Sequence, residues 1–232
     1  MIDYLNYGKQ VQSIVKEPKN EPKIQSPIPC GWSEYKLNQT ELNYVWSCVN
    51  HKENEWTQNL VGNIDSSFLL EDKNDWFFNN TITPLINHYE NTFGYQAQKV
   101  PIFRDDVGYR IKDYGLDIEY RMLNWWVNYQ KQYEFNPLHK HDGVYSFVIW
   151  LKIPYEWEEQ NKDNKSRAKL KGSFCFQYTN MFGELVNTDY KLGKKHEGTM
   201  LLFPSRLNHH VFPFYNCEEE RISVSGNILL KV

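Results

Sequence analysis

The sequence predicts an all-β core with flanking helices, in the form of an antiparallel sandwich or barrel. Three observations carry this. Aromatic residues are abundant, with 16 Tyr, 13 Phe and 8 Trp among 232 residues, and these types favour strands. From about residue 97, short alternating or β-branched runs recur every 10 to 25 residues. Helical periodicity is confined to about 38–95, ahead of those runs.

Taken in order, residues 1–35 are polar and broken by Pro18, Pro22, Pro27 and Pro29, which predicts an extended arm laid on the domain, or a partly disordered one. The rest, 36–232, reads as one domain. Leu42, Val45, Trp46 and Val49 recur at helical spacing after Asn38 and Thr40, either of which can cap a short amphipathic helix. A second helix is expected to open at Asp75 and end at Gly94, with Pro84 as a kink or restart. Strands are expected at Leu116–Leu123 running into Asn124–Tyr129, at Tyr145–Ile153, Ser173–Tyr178, Met200–Phe203, His210–Phe212 and Arg221–Ser225. Adjacent Trp125 and Trp126 must face opposite sides of their strand. Trp126, Phe147, Trp150, Phe174, Phe176, Phe203 and Phe212 are expected to fill the core.

The formal net charge is −3, from 26 Lys+Arg against 29 Asp+Glu. This excludes a strongly basic nucleic-acid binder and argues against tight non-specific DNA binding. No apolar run is long enough to span a membrane, and Asp3 stands where a signal peptide needs basic residues. The four cysteines are far apart and form no CxxC pair. The expectation is a reduced, cytoplasmic protein with no membrane contact.

The chemistry concentrates on histidines. His139 and His141 share a face of an extended segment, so two imidazoles meet at one point, as a metal requires. His209 and His210 lie in a loop entering a later strand and offer a third ligand. Asp142 is expected to point away from the pair. Further on, Arg221 and Ser223 share one strand face. A buried guanidinium fork with a hydroxyl beside it suits a dicarboxylate, although surface pairing with Glu218, Glu219 or Glu220 is the commoner fate of such an Arg. Asn128, Gln130 and Asn136 are candidates to line the cleft, while Asn136-Pro137 reads first as a turn. Gln177 or Tyr178 could reach a bound molecule from a facing strand. His51, His88 and His196 read as surface residues. The charged stretch Glu156–Lys171 reads as a solvated loop, with a lid as the alternative.

Several stretches, taken together, resemble a known family. These are Trp126-Val127-Asn128-Tyr129-Gln130, Glu134-Phe135-Asn136-Pro137, His139-x-His141-x-Gly143, Ser146-Phe147-Val148-Ile149, Phe203-Pro204-Ser205-x-Leu207-x-His209-x-Val211-x-Pro213, and Arg221-Ile222-Ser223-Val224-Ser225-Gly226-Asn227. In order and spacing they resemble the 2-oxoglutarate–Fe(II) oxygenases, most of all the group common in tailed phages of marine bacteria. The resemblance covers about 65–232. It implies a double-stranded β-helix (jelly-roll) core with the N-terminal helices packed on one sheet. It implies Fe(II), 2-oxoglutarate and O2, and hydroxylation of a C–H bond with succinate and CO2 as co-products.

The resemblance also implies roles. His139, His141 and His209 match the metal ligands, with His210 on the variable position after the third. Arg221 and Ser223 match the pair that holds the far carboxylate of 2-oxoglutarate, and Asn128 is placed with them. Most relatives have HxD or HxE where this sequence has HxH. Two arrangements follow: His141 as the second ligand, or His141 as the first and Gly143 leaving the second position empty. Two rival readings are a three-histidine cupin dioxygenase that does not use 2-oxoglutarate, and a phage structural or interaction module on the same fold. Arg221-x-Ser223 argues against the first, and the complete ligand set against the second. The primary substrate stays open among a protein side chain, a nucleobase and a metabolite. The oligomeric state stays open too, with a homodimer as one option.

Overall fold

The computed structural model describes residues 31–52, 54–94 and 119–231. The expected arm up to residue 30, the β-like stretch before 119 (with Leu116–Ile118) and Cys30 lie outside these residues.

Two antiparallel sheets face each other. The large sheet runs β1 (Ser33–Lys36), β8 (Thr199–Pro204), β5 (Tyr145–Lys152), β10 (Arg221–Lys231), β3 (Glu119–Gln130), β2 (Ser67–Leu69). The small sheet runs β4 (Asn136–His139), β9 (Asn208–Val211), β6 (Ser173–Thr179), β7 (Leu185–Lys191). From β3 to β10 the chain crosses repeatedly between the sheets, which is the jelly-roll arrangement of the double-stranded β-helix. β1 and β2 extend the large sheet at its two edges. Ser33–Tyr35, expected in the arm, are therefore sheet residues, because their backbone finds partners along β8.

Two helices cover the outer face of the large sheet. α1 (Gln39–Asn50) is capped by Asn38, whose side chain accepts from the N–H groups of Thr40 and Glu41. Glu41 closes a capping box by accepting from the Asn38 N–H. The second helical run begins directly after Asp75, as expected, but Asp72 caps it: the Asp72 carboxylate accepts from the N–H groups of Phe77 and Phe78. A π-turn at Phe78–Ile82 leads into α2 (Thr83–Phe93), with the Thr83 N–H reaching back five residues to the Phe78 carbonyl. Pro84 falls in the first turn of α2, where its missing N–H costs little. The two-residue period of β3 then divides the cores. Trp125 and Val127 face the helices, with Trp125 stacked on Phe77 at 5.3 Å. Between the sheets, Val148, Trp150, Phe174, Phe176, Leu201, Phe203 and Phe214 form a second cluster.

Three expectations need correction. Trp126 is buried but lines a cavity instead of filling the core. Phe212 is only half-buried and packs on His210. The front of the charged stretch is a short helix packed on the domain, not a loop. α3 (Trp157–Asn161) is pinned by paired bonds between Gln160 and the Tyr215 backbone, and Asn161 is buried. No residue of 156–171 lines the cavity, so this stretch is not a lid over it. Among the described residues, no helix is long and apolar enough to cross a membrane.

Candidate active site

The cavity lies between the sheets, and strand alternation decides its lining. Along β3, Asn124, Trp126, Asn128 and Gln130 point inward, and along β10 so do Arg221, Ser223, Ser225 and Asn227. The register pairs Arg221 with Gln130, Ser223 with Asn128, Ser225 with Trp126, and Asn227 with Asn124. The floor is thus a polar ladder on two neighbouring strands. Gly226 must be glycine, because a Cβ there would sit 2.5 Å from the Phe147 ring and 2.9 Å from the Trp125 Cβ.

The small sheet supplies the histidines. His139 ends β4 and stands opposite His209 of β9, while His141 follows in the turn into β5 and donates its backbone N–H to the Ser205 carbonyl. Asn136-Pro137 belongs to β4, so the expected turn lies elsewhere, around Gln132–Tyr133, where Tyr133 takes φ 72°. One ring nitrogen from each of His139, His141 and His209 lies within 4.8 Å of the others. The Nε2 atoms of His141 and His209 are 3.2 Å apart. With metal–nitrogen bonds of about 2.0–2.1 Å, two ligands at right angles would stand roughly 3 Å apart, so this spacing fits one shared ion. Nδ1 of His139 lies 2.7 Å from the Pro137 carbonyl, and Nδ1 of His209 lies 2.9 Å from the Leu207 carbonyl. A carbonyl can only accept, so both rings carry their proton on Nδ1 and leave Nε2 free for a metal.

The other candidates separate from this group. His210 faces the opposite side of β9, against Phe212 at 4.3 Å. Asp142 is exposed. Gly143 has φ 104°, and a Cβ there would meet the Ile228 carbonyl at 2.7 Å. A side chain at 143 would collide with β10 instead of reaching the histidines. Gln177 and Tyr178 bond to Asn187 and Thr188 across β7 and do not line the cavity. His51 and His88 are exposed, whereas His196 is half-buried and accepts from the Gly193 N–H.

Arg221 is 1% exposed. It does not pair with Glu218, Glu219 or Glu220; Glu219 takes Lys152 instead. Its guanidinium donates to the Tyr155 hydroxyl and to the Gln130 Oε1, and lies over the Phe214 ring at 5.6 Å. Among the described residues no carboxylate neutralises it. A buried, unpaired cation is costly unless an anion is meant to reach it. The sequence reading missed Tyr155, which follows β5 without a motif, and the segment around Trp56–Ile64. That segment bridges the sheet edges through the Asn63–Phe135 pair and closes one flank of the cavity.

The site is electrically simple. Burial, with His139 beside it, pushes the His141 imidazole down to about 4. Burial lowers His139 and holds His209 well below its ordinary value, with His139 and His141 adding to the effect. All three rings are neutral at pH 7, the state in which imidazole binds a metal. This sets a pH dependence for the metal-free protein. Below about 6.5 the unfolded chain takes up protons that native His141 refuses until about 4. The unfolded state therefore binds more protons in that window, and stability falls as pH drops through it. Denaturant melts in EDTA are expected to show about 2 kcal/mol less stability at pH 4.5 than at pH 7 from this residue. His141→Gln should flatten the slope, and an already flat profile would contradict the assignment.

Residues 124–227, a little under half of the chain, match the family model described as "Putative 2OG-Fe(II) oxygenase". Over this segment the chain is similar to the 2-oxoglutarate–Fe(II) oxygenases. Oxygenases of this kind require Fe(II), 2-oxoglutarate and O2. The donor set fits such an oxygenase: three neutral imidazoles suit a first-row metal, and a cation without a partner suits a dicarboxylate. No curated protein matches the chain in sequence. Similar solved structures include a prolyl-4-hydroxylase from Pseudomonas putida, at 12% identity over 88% of this chain and 94% of that one, TM-score 0.48. A prolyl hydroxylase from Trichoplax adhaerens, in complex with a hypoxia inducible factor peptide, gives 13%, 86%, 83% and 0.48. HygX from Streptomyces hygroscopicus gives 10%, 86%, 82% and 0.43.

Proposed function

We propose that the chain is an Fe(II)- and 2-oxoglutarate-dependent oxygenase that hydroxylates a C–H bond, with succinate and CO2 as co-products. The observation that carries this reading is the sharing of one cavity by three converging neutral imidazoles and a buried guanidinium without a carboxylate. His139, His141 and His209 hold the metal, and Arg221, Ser223 and Asn128 hold the co-substrate. Bound iron and 2-oxoglutarate supply the oxidising power. The chain's own residues do the rest.

The Arg221 fork would hold the far carboxylate, and Gln130 and Tyr155 fix the plane of that fork by accepting from it. The Ser223 hydroxyl donates beside it, and the Asn128 amide stands across the ladder from Ser223. The backbone carbonyls of Pro137 and Leu207 hold two imidazoles in the binding tautomer. Val148, Trp150, Phe174 and Phe203 make dry walls that keep bulk water from the reacting centre.

The test is turnover of 2-oxoglutarate to succinate by the purified chain with Fe(II) in air, joined to thermal melts. Slow succinate formation is expected even without primary substrate, and Fe(II) and 2-oxoglutarate should each raise the melting temperature. If neither ligand stabilises the protein and no succinate forms, the enzyme reading is wrong. Stabilisation by metal alone would point to a three-histidine dioxygenase that does not use 2-oxoglutarate.

A further inference from the structure

Beyond the histidines and Arg221, the cavity holds buried polar atoms without partners. On β3, Asn124 Oδ1, Trp126 Nε1 and Asn128 Oδ1 are buried and make no hydrogen bond among the described residues. Trp126 and Asn128 are 5% and 4% exposed, and all three residues line the cavity. A molecule that meets such atoms gains hydrogen bonds that the protein itself does not supply. The three occupy successive inward positions of one strand, about 6.6 Å apart per pair of residues. They read acceptor, donor, acceptor. Asn227, opposite Asn124, is already engaged by the Ser146 hydroxyl, so Asn124 is the unfilled member of its rung.

2-Oxoglutarate cannot satisfy this set. Its carboxylates and ketone only accept, so held by Arg221 and the Asn128 amide N–H it cannot meet the Asn oxygens. What remains demands a donor. Charge narrows the choice further. Apart from Arg221, no Lys, Arg, Asp or Glu lines the cavity among the described residues. A cationic donor would enter without a counter-charge and an anion would have only Arg221, which the co-substrate occupies. Trp56, 6.4 Å from the Trp126 ring, adds a flat apolar wall beside the ladder.

We infer that Asn124 and Trp126 form the recognition subsite for the primary substrate, and that the group they take is an uncharged amide-type group, an N–H adjoining a C=O. The N–H donates to Asn124 Oδ1 and the C=O accepts from the Trp126 indole. The inference rests on the proposed oxygenase reading, because it assigns Arg221 to 2-oxoglutarate. The same chemistry occurs in a side-chain carboxamide, a peptide bond and a lactam ring.

The test uses the full chain loaded with diamagnetic Zn(II) and 2-oxoglutarate, and follows the indole N–H resonances by NMR. The Trp126 resonance is the one lost in Trp126→Phe. Three probes of one size are titrated: propionamide, propionate and propylammonium. Propionamide is expected to shift the Trp126 resonance saturably, with propionate and propylammonium at least tenfold weaker. Asn124→Leu should weaken propionamide about five- to tenfold, with the melting-temperature gain from 2-oxoglutarate unchanged. Equal binding of a charged probe, or full propionamide affinity in Asn124→Leu, overturns the inference while leaving the oxygenase reading intact. If 2-oxoglutarate itself fails to stabilise the protein, the reading beneath falls and this inference with it.

Discussion

Arg221→Met is expected to abolish 2-oxoglutarate-dependent succinate formation, by at least 100-fold, while leaving the empty protein as stable as the parent or more so. Most buried polar residues behave in the opposite way. Here the guanidinium is 1% exposed and meets only neutral oxygens, those of Tyr155 and Gln130. Two neutral acceptors do not offset the transfer of a full charge from water. Methionine of similar length removes that charge and keeps the packing against Tyr155 and Phe214. Exchanges of buried charge for apolar side chains are often neutral or stabilising by about 1–4 kcal/mol. The cost falls on function, since the melting-temperature gain from 2-oxoglutarate should vanish while that from the metal persists. Lysine at 221 keeps the charge without the fork and should recover only part of the binding. A strongly destabilised Arg221→Met, or one that still responds to 2-oxoglutarate, would show that this arginine is structural.

His209→Ala is expected to lower metal affinity by at least 100-fold, and His210→Ala to leave it within about threefold. The two neighbours differ only in which side of β9 they occupy. His209 is enclosed, with its Nε2 3.2 Å from that of His141, whereas His210 packs on Phe212 on the other face. Removing one ligand of three also leaves the remaining pair unable to close the site around an ion. Titration with Mn(II) under calorimetry reads both variants directly. Comparable losses in the two would mean that the histidine cluster is not the metal centre. Because His209→Ala also opens space beside Phe174 and Phe203, its melting temperature without metal should be measured alongside. His209→Gln, which fills most of that space, should show the same metal loss.

Much of this arrangement was legible in the sequence because it depends on local periods. The two-residue alternation of β3 and β10 separates inward from outward residues, so Arg221 with Ser223, and Trp125 against Trp126, follow from spacing alone. His139 with His141 was legible on the same ground. What stayed hidden depends on contacts across the chain. Nothing near Tyr155 announces that it will meet Arg221, 66 residues away. The Trp56–Ile64 flank becomes a cavity wall only through its pairing at Asn63 with Phe135. Asn136-Pro137 reads as a turn by composition, yet β9 draws it into a strand. Asp75 is a plausible cap by type, but Asp72 sits where its carboxylate reaches two free N–H groups. The close passage of β10 beside residue 143 is likewise a contact across the chain that spacing does not announce.

The division of β3 has an evolutionary consequence. Residues 125 and 127 are locked into the helix-covered core, while 124, 126 and 128 face the cavity and carry no packing load from the helices. Substitutions that retarget the cavity to a new molecule can therefore accumulate at every second position without eroding the scaffold. The strand works as a fixed rail on one side and an exchangeable reading head on the other. Diversification among relatives of this chain should be concentrated on the even-numbered side of that one strand.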